Sequence, residues 1–186
     1  VLDLSYAESE EGSVSLQPVS TEAEIGTCLG MLQPLAQRNG VSLIAPTEPA
    51  PWVRADAQRL RQILLNLVTN AIKYNRTGGK VRLCVSEPSP NRVRVLVADN
   101  GLGIDVDQQE AVFEPFNRLG RENSSIEGSG VGLSLTRSMI EGMNGHIDFQ
   151  SEPGRGTRFW FDLDAAFSKG VRGSARDERE AWTLSL

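Results

Sequence analysis

The order of helical and β-strand patterns along the chain constrains its fold more than any other feature. Apolar residues recur at helical spacing in three long segments, whereas β-rich runs alternate in two pairs and in three shorter pieces. The predicted helices are 21–38, 56–75 and 131–143, the predicted hairpins join 80–87 to 92–99 and 146–151 to 157–164, and the short strands are 14–19, 41–45 and 52–55. This order predicts a two-layer α/β sandwich with one mixed sheet and helices on one face.

The domain organisation follows from what surrounds these patterns. Residues 1–13 are acidic and small, and we expect the end of an upstream helix and a linker there. Residues 14–165 form the predicted domain, and 166–186 mix charges without apolar periodicity, as a tail does. Within the domain, residues 100–130 form a 31-residue loop rich in Gly, Asn and Ser. Loops of that length in compact domains are usually functional or disordered, so this loop needs a reason.

Charge and cysteine content exclude several classes of protein. The net charge is -5, but residues 1–24 carry six acidic groups and no Lys or Arg, which leaves +1 on the rest. Without a basic stripe, nucleic acid is not an expected partner. Cys28 and Cys84 form no CxxC pair, and we interpret them as reduced thiols without a metal.

The expected location of the domain is cytoplasmic. No apolar run reaches the length of a membrane span, and no segment resembles a signal peptide. Because position 1 is Val, we expect a piece of a longer protein, which could itself carry a membrane anchor.

The stretch ADNGLGI (98–104) places a carboxylate where a predicted sheet strand ends. Gly101 and Gly103 follow Asp99 and allow the backbone to approach a flat ligand closely. A buried acceptor at this point could take a hydrogen bond from an exocyclic amine such as N6 of adenine. Asp-Asn-Gly is also ordinary turn chemistry, and both interpretations stay open.

The stretch GSGVGL (128–133) lies at the end of the long loop and opens a predicted helix. Its alternating glycines expose backbone N–H groups at a helix N-terminus, where the dipole favours phosphate. It is not a dinucleotide motif, because position 133 is Leu and no strand leads into it. GGKV (78–81) is not a P-loop either. A flexible turn is the alternative.

The helix 56–75 carries Asn66 and Asn70 one turn apart on one face, followed by Lys73. Asn is a poor helix former, so this pair needs a reason. A neutral carboxamide oxygen suits a Mg²⁺ ion already neutralised by phosphates, and Lys73 could pair with a phosphate. A solvated polar face is the alternative. In GRGTRF (154–159), Thr157 follows a turn and is a weaker candidate contact.

The order and spacing of these stretches are far more specific than any one of them. N66…N70-A-I-K-Y, D99-N-G-L-G, F113-E-P-F, G128-S-G-V-G-L and G154-R-G-T together resemble the N, G1, F, G2 and G3 boxes of the sensor histidine kinase catalytic domain. That domain belongs to the GHKL superfamily, with gyrase and Hsp-type chaperone ATPases as relatives. The resemblance covers roughly 14–164 and implies the Bergerat ATP-binding fold, with ATP and Mg²⁺ as cofactors and a long ATP lid.

The resemblance assigns a catalytic and phosphate-side role to Asn66, Asn70 and Lys73, with Asn70 as the Mg²⁺ ligand and Tyr74 on the ribose side. It places the adenine amine on Asp99, the ring against Gly101 and Gly103, and Thr157 nearby. The remaining implied contacts are Phe113 and Phe116 at the base of the lid, and Gly128, Gly130, Val131, Gly132 and Leu133 around the phosphates. Arg118 and Arg121, within the lid 117–127, are candidate γ-phosphate contacts or solvated surface charges.

Asn66 also bears on the reaction. The hydrolysing relatives are expected to carry a Glu there, as base for the attacking water. A carboxamide cannot accept a proton near neutral pH, so the helix favours transfer of the γ-phosphoryl group to another nucleophile over hydrolysis.

The resemblance also requires a phosphoacceptor His on a dimerising hairpin. The single histidine, His146, begins a predicted strand, and we expect it to be structural or solvent-exposed. The implied partners are therefore a separate phosphoacceptor domain of the same kinase and a response regulator. We expect this chain to bind ATP as a monomer without phosphorylating itself, and the full-length protein to be a homodimer. Three alternatives stay open: an anti-sigma-factor-like Ser/Thr kinase, a GHKL ATPase, and a degenerate signalling module.

Overall fold

The computed structural model of the protein describes residues 14–117 and 130–167. All three predicted helices and both predicted hairpins are present, with ends that differ by a few residues. The elements are β1 (Gln17–Ser20), α1 (Thr21–Arg38), β2 (Ser42–Ile44), β3 (Trp52–Ala55), α2 (Ala57–Lys73), β4 (Lys80–Ser89), β5 (Arg92–Asp99), a 3₁₀ helix (Val106–Ala111), α3 (Gly132–Glu141), β6 (His146–Glu152) and β7 (Gly156–Asp164).

The central sheet has five strands in the order β2-β4-β5-β7-β6. β2 runs parallel to β4, and the other neighbours are antiparallel, so the predicted mixed sheet is confirmed. The prediction of a single sheet is wrong, because β1 and β3 pair antiparallel in a separate two-stranded sheet. Pro18 lacks a backbone N–H, which suits β1 as an edge strand paired with β3.

The helices cover one face of the sheet, as predicted, and α2 lies at the centre of that layer. Its buried residues follow helical spacing, and every second residue of β5 and of β7 points toward them. Each fully buried Leu, Ile or Phe side chain contributes roughly 1.5–3 kcal/mol of transfer free energy. The fully buried residues of this layer include Leu60, Ile63, Leu64, Val68, Ile72, Leu83, Val93, Phe161 and Leu163.

Local signals fix the ends of the two long helices. Asp56 caps α2, because its carboxylate accepts hydrogen bonds from the N–H groups of Gln58 and Arg59 at 3.0 and 3.2 Å. Gly40, with a positive φ of 65°, follows the end of α1. The start of α2 is therefore fixed, and the face it presents to the rest of the fold follows from its apolar spacing.

The described part of the loop predicted over 100–130 contains the 3₁₀ helix. The Gln109 side chain donates to the carbonyls of Ile104 and Ser151 at 2.9 and 3.2 Å, which ties this helix to β6. At the other end of the domain, Ala166 donates to the Trp52 carbonyl, and the Phe167 ring lies 6.1 Å from that of Trp52.

Two further expectations concern thiols and membranes. Cys28 and Cys84 are free thiols, and burial raises the pKa of Cys28 to about 12. Across 14–117 and 130–167, none of the helices combines the length and the apolar character that a membrane crossing requires.

Candidate functional site

One cavity collects most of the predicted site residues. It lies among α2, the ends of β5 and β7 and the start of α3. Because these elements are separated along the chain, residues that are far apart in sequence face each other across it. The predicted residues that line it are Asn66, Asn70, Lys73, Tyr74, Asp99, Gly103, Gly130, Gly132, Leu133 and Thr157.

Asp99 forms the buried end of the cavity. It is the last residue of β5, and only 8% of its surface is exposed. Its Oδ1 accepts a hydrogen bond from the Gly101 N–H at 2.8 Å, and the Thr157 backbone N–H also bonds the carboxylate. Burial raises the pKa of Asp99 to about 6, although both hydrogen bonds lower it. Asp99 is thus a desolvated acceptor, largely ionised at neutral pH.

The two glycines after Asp99 are required by the backbone around them. A Cβ on Gly101 would lie 2.5 Å from the Tyr74 carbonyl oxygen, which accepts a hydrogen bond from the Leu102 N–H. Gly103 has a positive φ of 70°, and a Cβ there would collide with the Glu152 carbonyl oxygen. The two glycines therefore allow close packing against the end of α2 and the β6–β7 turn, and their approach to a ligand stays a prediction. Gly101 does not line the cavity.

A hydroxyl pair supports the wall next to Asp99. The hydroxyl groups of Thr157 and Ser151 lie 2.9 Å apart. Ser151 Oγ also accepts a hydrogen bond from the Ile104 N–H at 2.9 Å. This links the segment after β5 to β6 and β7, so Ser151 fixes the wall without facing the cavity.

The polar face of α2 forms the opposite wall. Asn66, Asn70, Lys73 and Tyr74 are half-buried and line the cavity, as their helical spacing requires. The amide nitrogen of Asn66 donates to the Thr136 hydroxyl on α3 at 2.7 Å. The side chains of this face are therefore placed by one helix, with one of them tied to a second.

The start of α3 lies next to the wall formed by α2. Gly132 is its first residue, and Gly130, Gly132 and Leu133 line the cavity. Val131 is the N-cap but does not line the cavity, and its own side chain makes no capping hydrogen bond. The N–H groups of a first helical turn have no partners within the helix, so they can bind an anion.

The two phenylalanines predicted at the base of the lid differ in burial and packing. Phe113 packs edge-on against Phe149 and Phe159, with ring centroids 5.8 and 6.3 Å apart. Phe116 is 64% exposed, has a positive φ of 64° and does not line the cavity. Arg118, Arg121 and Gly128, like most of the predicted lid, lie outside the described residues.

Sequence reasoning missed much of the apolar wall and several polar lining residues. The alternation in 92–99 and 157–164 is a signal that could have placed Val97 and Phe159 on the inner face, but it could not show that a cavity opens above them. Val112 and Asn117 carried no signal. The lining residues that were missed are Leu67, Thr69, Ala71, Val97, Ile104, Asp105, Val112, Asn117 and Phe159.

The donor set decides what this cavity can hold. Within 14–117 and 130–167, no group of three or more His, Cys, Asp or Glu side chains could hold a metal ion by itself. Mg²⁺ bound with a nucleotide needs few protein ligands, because phosphate oxygens and waters supply the rest. The half-buried Asn70 carboxamide fits that requirement. The cavity thus fits a flat amine-bearing base near Asp99 and phosphates near α2 and α3.

Comparisons with known proteins agree with this geometry. The family model described as histidine kinase-, DNA gyrase B- and HSP90-like ATPase matches residues 55–166. Adaptive-response sensory kinase SasA of Thermosynechococcus vestitus is 43% identical over 113 residues, which make up 61% of this chain and 30% of that protein. Drug sensory protein A of Synechocystis sp. is 34% identical over 173 residues, 88% of this chain and 26% of that protein. The chain thus spans between a quarter and a third of the length of these curated relatives.

Solved structures give the same result. Full-length ShkA in complex with AMPPNP matches with a TM-score of 0.70 and 33% identity, covering 86% of this chain and 32% of that one. The nucleotide-free catalytic domain of histidine kinase ThkA has a TM-score of 0.69 and covers 81% of this chain and 95% of that domain. At 24% identity, the ThkA likeness shows the fold alone. The chain therefore belongs to the histidine kinase-, DNA gyrase B- and HSP90-like ATPase family and is a catalytic domain of the sensor histidine kinase type.

Proposed function

We propose that this domain binds Mg·ATP in the cavity and passes the γ-phosphoryl group to a histidine on a separate phosphoacceptor domain. The observation that carries the proposal is the polarity of the cavity. The buried Asp99 carboxylate lines it at the end of β5, and we assign the opposite end to Asn70, Lys73 and the start of α3, which line the same cavity. One ligand with an amine-bearing base and a phosphate chain satisfies both ends.

The base end selects adenine. Asp99 accepts a hydrogen bond from the adenine amine, and Val97, Ile104 and Phe159 contact the ring. A guanine base presents a carbonyl where adenine presents its amine, so it would place an acceptor against the Asp99 carboxylate. Thr157, held by Ser151, adds a hydroxyl beside the carboxylate.

The phosphate end places positive and hydrogen-bond-donating groups around the phosphates. Asn70 holds Mg²⁺, Lys73 neutralises phosphate oxygens, and the first N–H groups of α3 bind phosphate. When bound, Mg²⁺ offsets the negative charge that builds up on the phosphates during transfer. Phosphoryl transfer depends mostly on such positioning and on electrostatic stabilisation.

Asn66 favours transfer over hydrolysis. It lies one turn before Asn70, and its carboxamide cannot remove a proton from water near neutral pH. Without a base at this position, an attacking water is not activated. The nucleophile is then supplied by another domain, whose histidine nitrogen needs no deprotonation to attack.

The histidine of this chain does not fit that role. His146 is exposed at the first position of β6, whereas Ser151, near the cavity, lies at the other end of that strand. Five steps along the extended strand separate them by roughly 17 Å. We propose that a phosphoacceptor domain of the same full-length kinase supplies the histidine, that a response regulator receives the group, and that the full-length protein is a homodimer. The chain itself is expected to be monomeric.

Two measurements test this proposal. Calorimetric titration of the chain with AMPPNP should show binding that Mg²⁺ strengthens. Incubation with γ-labelled ATP should leave the chain unlabelled, and adding the His-bearing hairpin of the full-length protein should give an acid-labile, alkali-stable phosphohistidine. Label on the chain alone would contradict the transfer model. Steady phosphate release would instead assign the domain to the hydrolysing ATPases, and absence of AMPPNP binding by the folded chain would leave a degenerate module.

A further inference from the structure

We infer that Thr136 is a positioning residue that acts through Asn66 and keeps the metal-bearing helix α2 in register with the phosphate-facing start of α3. This inference rests on the proposed function. The Asn66 amide nitrogen donates to the Thr136 hydroxyl at 2.7 Å, and Thr136 is completely buried. Thr136 does not line the cavity, so any effect on bound nucleotide must pass through Asn66.

The hydrogen bond holds Asn66 in an unusually tight place. A Cβ on Gly132 would lie 2.5 Å from Asn66 Oδ1 and 3.0 Å from its Nδ2. Gly132 has no positive φ, so its lack of a side chain is explained by this approach. The carboxamide of Asn66 therefore packs closely against the first residue of α3 while its nitrogen is bonded one turn further along the same helix.

The hydrogen bond between Asn66 and Thr136 therefore affects the position of two sets of phosphate-side groups, one on α2 and one at the start of α3. Asn66 lies one helical turn before Asn70, and Gly132 lies one turn before Thr136. Fixing Asn66 on Thr136 thereby sets the spacing between the Asn70 carboxamide and the first N–H groups of α3. The base end is independent of this contact, because Asp99 is held by Gly101 and Thr157.

Removal of the Thr136 hydroxyl should have a specific consequence. In Thr136→Val the shape is kept, but the amide nitrogen of Asn66 loses its acceptor, and the carboxamide can rotate. We expect affinity for Mg·AMPPNP to fall about fivefold, the equivalent of one neutral hydrogen bond. Affinity for adenosine, which occupies only the base end, should not change.

The experiment is a calorimetric titration of the 186-residue chain with Mg·AMPPNP and with adenosine, alongside thermal melts. Thr136→Ser keeps the hydroxyl and should restore the affinity for Mg·AMPPNP. Thr21→Val is the matched control, because Thr21 is also buried, its hydroxyl donates to the Pro51 carbonyl at 2.6 Å, and neither residue lines the cavity. It should lower thermal stability without changing either affinity. If Thr136→Val is too unstable to assay, Thr136→Ala takes its place with the same expectation.

A double-mutant cycle separates action through Asn66 from a general structural role. In an Asn66→Ala background, Thr136→Val should cause no further loss of Mg·AMPPNP affinity. Losses that multiply, or equal losses for Mg·AMPPNP and adenosine, would overturn the inference. The inference would also be overturned if the unmodified chain binds Mg·AMPPNP and Thr136→Val binds it with the same affinity. If the folded, unmodified chain binds no AMPPNP, the proposed function fails as well.

Discussion

The two ends of the cavity are built in different ways. At the base end, the Asp99 carboxylate is buried at the end of a central strand and is held by backbone N–H groups. At the phosphate end, half-buried side chains of α2 face the start of α3, and a side-chain hydrogen bond joins the two helices. The base end is therefore part of the sheet, whereas the phosphate end depends on how two helices meet.

This difference separates two properties of the domain. Groups held by the backbone of the sheet keep their positions as long as the domain is folded, so the base end should act as a fixed anchor. Groups held by side chains between helices respond to small shifts of either helix. We therefore expect changes at the base end to alter the affinity for every adenine ligand, and changes at the phosphate end to alter only ligands with phosphates and Mg²⁺.

The largest effect is expected for Asp99→Ala. The variant loses the charged acceptor for the adenine amine, and affinity for both adenosine and Mg·AMPPNP should fall about a hundredfold, since such a bond contributes up to about 3 kcal/mol. Calorimetric titration measures both. Asp164→Ala, at the other end of the sheet, is the control and should bind normally. A loss confined to Mg·AMPPNP would show that Asp99 does not hold the base.

A smaller and more selective effect is expected for Asn70→Ala. Loss of the oxygen ligand should reduce the gain in AMPPNP affinity that Mg²⁺ provides about tenfold, or about 1.4 kcal/mol, while adenosine binding is unchanged. Titrations with Mg²⁺ and with EDTA measure that gain. Gln62→Ala removes an exposed carboxamide of the same helix that does not line the cavity, and it should behave like the unmodified chain. An Mg²⁺ gain that survives in Asn70→Ala would remove Asn70 as the ligand.

A pH dependence is expected at the base end, through Asp99. The pKa of Asp99 is raised to about 6 from an ordinary value of 3.8, so the folded state binds its proton more tightly than the unfolded state does. The free energy of unfolding should therefore fall by about 2 kcal/mol as pH rises from 4 to 6, and this contribution should level off above pH 7. Adenosine affinity should change in the opposite direction and rise about tenfold between pH 5 and pH 7, as the carboxylate ionises.

Adenosine carries no titrating phosphate, so its affinity reports on the protein over this range. Asp99→Asn is the control, and both its adenosine affinity and its stability should lack this pH dependence. An unmodified chain whose adenosine affinity is flat from pH 5 to pH 7 would place the pKa of Asp99 outside that range.

The smallest effect is expected for Ser151→Ala. Its hydroxyl supports Thr157 and accepts from the Ile104 N–H, so its loss should lower affinity about fivefold, or about 1 kcal/mol, equally for adenosine and Mg·AMPPNP. Ser86→Ala, on an exposed position of β4, is the control. A loss seen only with Mg·AMPPNP would mean that the two ends are not independent.

The secondary structure was predictable because its signals are local. The helical spacing in 56–75 and the cap at Asp56 define α2, and alternation in 92–99 defines β5. The separate sheet of β1 and β3 was not predictable in this way, because four-residue strands carry no record of their partners. The 3₁₀ helix was missed for a similar reason, since Val106–Ala111 has no apolar periodicity.

In the candidate site, too, some features follow from local sequence signals and others from contacts between distant parts of the chain. The sequence by itself determined the family through its five spaced motifs, and it determined which side chains share a face, because helical and strand periods are properties of the local backbone. Only the tertiary structure decided that Gly101 and Gly103 are packed against other backbone, that Ser151 supports the wall beside Asp99, and that Asn66 is bonded to Thr136. These contacts join elements that are distant in the chain, and their geometry exists only once the helices have packed on the sheet.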